Sequence, residues 1–79
     1  MNTEEIETLI ESNLEDADAT VGNPRRDGEH FEAVVVSPAF EGLSLVEQHQ
    51  LVYDALGEHM TTDIHALELK TYEPDEDAA

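Results

Sequence analysis

Apolar and polar positions divide this chain into five elements with two different periods. Ile6, Leu9, Ile10 and Leu14 recur at the three- and four-residue spacing of one helix face. Glu4, Glu5 and Glu7 crowd the N-terminal side, where the positive end of the helix dipole favours carboxylates. Asn2 or Thr3 supplies a side-chain oxygen for the N-cap. The spacing predicts a first helix from about Thr3 to Leu14. Ala17 to Val21 is a strand candidate carried by Thr20 and Val21, and GNPRRDG, from Gly22 to Gly28, has the Gly, Asn, Pro and Asp of a turn-rich loop.

His30 to Ser37 reads as the main strand. Phe31 and the β-branched run Val34, Val35, Val36 predict a central strand buried on both faces towards its end. Pro38 ends it, and Pro38 to Gly42 predicts a short turn or a single helical turn. Ser44 with Glu47 three residues on is a capping box. Beyond it Leu45, His49, Val52, Leu56 and Met60 form a helical stripe with Val46 and Tyr53 beside it, which predicts a second helix to about His59. Ile64 to Tyr72 switches to a period of two, with His65, Leu67, Leu69 and Thr71 on one face and Ile64, Ala66, Glu68 and Lys70 on the other. The leucine face is expected to meet the helices, which places His65 at the strand's start on that face. The order helix-strand-strand-(short turn)-helix-strand is α/β of the α+β kind, and the simplest arrangement that buries both apolar stripes is a three-stranded sheet with both helices on one face. Residues 1–72 are read as a single domain, and the tail from Glu73, EPDEDAA, as an acidic disordered end.

Composition narrows what such a domain can do. The chain has 79 residues, no Cys, and 20 Asp and Glu against three Lys and Arg, for a net charge of −17. Without Cys there is no disulfide framework and no thiolate cage from this chain alone, so metal ligation must use His or carboxylates. The charge density is the surface expected of a protein from a high-salt cytosol, where salt screens self-repulsion over a Debye length of roughly 3 Å at 1 M. A disordered acidic segment is the rival reading, and the periodic placement of 39% hydrophobic residues argues against it. MNTEEIETLI has neither the positive start nor the apolar run of a signal peptide, and a cytoplasmic protein is expected. Only Arg25, Arg26 and Lys70 are available to neutralise phosphates, which disfavours nonspecific DNA binding.

The blocks HF at the start of the second strand, VVVSPAFEG after it, EQHQLVYDAL on the helix and IHALELKTY on the last strand, in this order, resemble the BolA family. The likeness covers Gly28 to Tyr72, with the first helix consistent in type. It implies a class II KH-like fold in which a turn around Phe40-Glu41-Gly42-Leu43 replaces the usual nucleic-acid-gripping glycine loop. It also implies a non-enzymatic partner of a monothiol glutaredoxin, or an equivalent thiol carrier, that shares a bridging [2Fe-2S] cluster in iron-sulfur trafficking or iron and redox sensing. The isolated chain is expected to hold no cofactor. A transcriptional regulator that binds DNA or RNA through the KH-like face, with Arg25 and Arg26 as its local positive spot, is the alternative role.

By this resemblance His65, in IHALEL, matches the cluster ligand at the start of the last strand. The second ligand, which the family draws from the loop between the first two strands, stays open between His30, Asp27 and a partner that supplies three ligands. Imidazole suits iron and raises the cluster potential, whereas carboxylate is a harder and less usual ligand. On residue pattern alone His65 reads as a capping or packing histidine, and the resemblance reverses that. His49, on the apolar helix face, reads as a core histidine satisfied by a hydrogen bond. His59 near the helix C-terminus suits the dipole and is given no chemistry. A zinc or nickel site from His49, His59 and His65 has no recognised ligand spacing. Ser37 and Ser44 have turn and cap explanations, and the scattered carboxylates define no acid–base pair, so an enzyme is not predicted.

Overall fold

The computed structural model describes residues 2–23, 30–59 and 66–74. Helix α1 spans Thr3–Asn13, strand β1 Asp18–Gly22, strand β2 His30–Val36, helix α2 Leu45–Leu56 and strand β3 Ala66–Tyr72, with a 3-10 turn at Pro38–Phe40 between β2 and α2. Both helices begin at full capping boxes. The Asn2 side chain accepts from the Glu5 amide at 2.8 Å, and the Asn2 amide donates to the Glu5 carboxylate at 3.3 Å. Ser44 and Glu47 form the same reciprocal pair at 3.2 and 3.0 Å. Four-residue chemistry at each N-terminus thus satisfies amides that the helix itself leaves open.

The sheet order is β1-β2-β3, with β1 antiparallel to β2 and β2 parallel to β3. A parallel neighbour cannot follow through a tight hairpin. The 3-10 turn and α2 lie within the long connection from β2 to β3. Ile6 and Ile10 of α1, its C-cap Leu14, and Val52 and Leu56 of α2 join Ala19, Val21, Phe31, Ala33, Val35 and Phe40 in one core on a single face of the sheet. The predicted α+β arrangement of two helices on a three-stranded sheet is what the chain adopts.

Edge strand β1 is closed by α1 in a second way. The Ala19 amide donates to the Glu11 carboxylate at 3.1 Å and the Val21 amide to Glu7 at 2.9 Å. Two glutamates of an acidic helix therefore occupy amides that would otherwise template pairing with another strand.

Three expectations change in the structure. β2 is central, but only Phe31, Ala33 and Val35 are buried, while Val34 and Val36 are half-buried, because both helices lie on the opposite face. Helix α2 stops at Leu56 rather than near His59. Gly57 takes φ 58°, a region favoured by glycine, and its amide returns to the Tyr53 carbonyl at 2.9 Å. Leu45, expected in the buried stripe, is 62% exposed. It lies one turn before Gln48, the residue through which α2 first meets the end of β3.

Candidate functional site

The parallel pairing of β2 and β3 gives the sheet two distinct ends. At the amino end His30 is in register with Ala66, the residue after His65. His30 is half-buried and shares the helix-free face with Glu32, Val34 and Val36. On this face Glu32 lies beside Glu68 and Val34 beside Lys70, and a shallow pocket of about 70 Å³ is lined by these four and Ala33. The ligand candidates His65 and Asp27, and the arginine pair Arg25 and Arg26, lie outside the described residues, as does the predicted placement of His65 on the leucine face. Where β3 is described, that face is as predicted: Leu67 and Leu69 pack against the core and Thr71 is buried.

At the carboxyl end, hydroxyl and amide side chains hold the elements together. Ser37 is fully buried. Its hydroxyl donates to the Glu15 carbonyl at 2.6 Å and accepts from the Ala39 amide at 3.1 Å, and its amide donates to the Tyr72 carbonyl at 3.1 Å. Thr71 donates to the Gln48 side-chain oxygen at 2.7 Å, and the Gln48 amide nitrogen donates to the carbonyls of Leu43 at 3.1 Å and Phe40 at 3.4 Å. The cap reading of Ser37 holds for the 3-10 turn, but its longer reach to the end of α1 has no signal in local sequence.

Of the other histidines, His49 is half-buried and meets Tyr53 edge-on at 6.5 Å. Its Nε2 is buried without a hydrogen-bond partner among the described residues, against the expectation of a satisfied core histidine. The ring is held by packing against its i+4 neighbour instead. His59 lines a cleft of about 420 Å³ with Asn2, Glu4, Glu5, Thr8 and Leu9 of the first helix. Among the described residues no group of three or more His, Asp or Glu is placed to hold a metal ion. The Glu47 carboxyl is held below its usual range, chiefly by the Ser44 amide and then by the Ser44 hydroxyl.

A small mixed sheet with a crossover helix and an N-terminal helix on one face, and an imidazole at the start of its central strand, is the frame these residues define. The chain matches the family model for BolA-like protein over residues 1–76 and belongs to that family. It is 48% identical to a bolA protein homologue from Coxiella burnetii of known structure, with a TM-score of 0.89 and coverage of 100% of this chain and 99% of that one. It is 34% identical over 77 residues to the acid stress protein IbaG of Escherichia coli, covering 96% of this chain and 88% of IbaG. Against the DNA-binding transcriptional regulator BolA of the same organism it is 39% identical over 49 residues, 62% of this chain and 47% of the regulator. The chain spans less than half the length of that regulator and of several other curated relatives it matches. No helix among the described residues is long and apolar enough to cross a membrane.

A [2Fe-2S] cluster of the all-thiolate kind takes four Cys ligands, with two His replacing Cys at one iron in the higher-potential variety. A chain with four His and no Cys has the donor chemistry of a contributor at one iron, with thiolates required from elsewhere. The donor set fits one side of a shared cluster and not a complete one.

Proposed function

We propose that this chain is a non-enzymatic partner of a monothiol glutaredoxin or equivalent thiol carrier and contributes His65 to a [2Fe-2S] cluster bridging the two proteins. Membership of the BolA family supports this, together with the position of IHALELKTY. The strand that begins at Ala66 is parallel to the one that begins at His30, so Ala66 and His30 stand at the same end of the sheet. The second ligand from this chain is His30 or Asp27, or the carrier supplies three. When bound, the cluster would exchange electrons or be passed on at a potential raised by imidazole ligation. Residues 1–72 form the working domain in this proposal, with the acidic tail dispensable.

Anaerobic titration of the chain against its own organism's monothiol glutaredoxin, followed by visible absorption and circular dichroism, tests the partnership. A new spectrum that saturates at a fixed ratio of the two proteins is expected. An unchanged glutaredoxin spectrum contradicts it. The name of the E. coli regulator favours a second reading, DNA binding through Arg25 and Arg26. Specific binding at native salt that collapses in the Arg25→Ala/Arg26→Ala variant, with no mixed cluster, would make that reading primary.

A further inference from the structure

We propose that Leu43, Leu45 and Val46, at the turn into α2, form a docking surface for a basic protein that covers these side chains with apolar groups and sets Lys or Arg against Glu41 and Glu47. Leu45 is 62% and Val46 78% exposed, in a helix whose Val52 and Leu56 are buried. Neither side chain is needed to start the helix, because the Ser44–Glu47 box and the Gln48 bonds to Phe40, Leu43 and Thr71 fix the backbone there. The apolar groups are therefore presented on a fixed support, which lowers the ordering cost of binding. Glu41 and Glu47 flank them and are exposed, and Glu41 also lines an adjoining cleft of about 200 Å³ with Pro38, Glu73 and Pro74.

Charge selects the occupant. From Glu41 to Leu56 there is no Lys or Arg, so phosphates would meet carboxylates without a counter-cation. A second copy would bring another chain of net charge −17 against the same acidic rim. A protein with an apolar centre and a cationic rim satisfies both parts of the surface. The surface lies at the carboxyl end of β2 and β3, while His30 and Ala66 are at the amino end. Seven-residue strands set these ends about 20 Å apart, so the docking surface is separate from the proposed cluster end and does not rest on that proposal.

Amide chemical-shift titration of the isotopically labelled full chain tests this, with a short peptide of alternating Leu and Lys as probe and a Ser and Lys peptide of equal charge as control. Shifts centred on Leu43 to Glu47 are expected with the Leu-containing peptide, and Leu45→Ser/Val46→Ser should weaken its binding roughly tenfold. Glu41→Gln, which leaves the capping box intact, should weaken it roughly twofold. If the double variant loses the helical circular dichroism of the wild type, Glu41→Gln decides alone. Equal affinity for the two peptides, or shifts spread evenly over the acidic surface, would overturn the proposal. So would a short oligothymidylate that shifts the same amides, or a dimer that the double variant abolishes.

Discussion

The two ends of the sheet are built from different chemistry. At the carboxyl end Ser37 bonds the backbone of Glu15 and Ala39, Thr71 bonds Gln48, and Gln48 bonds the carbonyls of Phe40 and Leu43, so these side chains are fixed by the fold. Towards the amino end the helix-free face carries His30, Glu32 and Glu68, groups suited to ions and partners rather than to packing. Internally satisfied polar groups hold a structure in place, and the side chains that do chemistry are mounted away from them. In the proposed function the two jobs fall at opposite ends of the same parallel strands.

Breaking the tied end should cost most. Ser37→Ala removes a donor to the Glu15 carbonyl and an acceptor from the Ala39 amide at a fully buried position. A loss of about 2–3 kcal/mol in urea unfolding is expected, because buried groups are left without partners. A loss within about 0.5 kcal/mol, the range of an ordinary surface substitution, would mean that the network does not fasten this end.

A smaller effect is expected from Ser44→Ala, about 1 kcal/mol for loss of an N-cap. It carries a pH signature. The Glu47 carboxyl is depressed in the folded protein by the Ser44 amide and hydroxyl. Its contribution is therefore complete above the ordinary glutamate range and is lost as pH falls through the lower folded value. Wild type should lose stability over that acid window more than Ser44→Ala does, as read by thermal unfolding between neutral and acid pH. Parallel curves would show that the hydroxyl adds nothing to the depression.

The helices were legible because their signals are local: four-residue caps and a 3.6-residue stripe. β2 was legible from its valines, and the period-two leucines assigned the inner face of β3. The parallel pairing of β2 and β3, which sets His30 beside Ala66, left no local trace, since register is fixed by contacts made after the crossover. Leu45 misled for a related reason. Periodicity reports which side of a helix a residue occupies and not whether the helix has run past the sheet at that point. The roles of Glu7 and Glu11 have no local signal either, because only the strand lying against them makes them caps for β1. As for the candidate site, the sequence alone singled out histidines in a thiol-free chain, and the family likeness chose His65 among them. Packing then showed His49 to be bound up with Tyr53.

The most direct test of the central claim is the anaerobically purified complex with glutaredoxin, made with wild type and with His65→Ala, compared by visible circular dichroism. Loss or a marked change of the cluster spectrum in the variant is predicted, with His30→Ala and Asp27→Ala in the same assay identifying the second ligand. An identical spectrum from His65→Ala and wild type would contradict the assignment of His65 to the cluster.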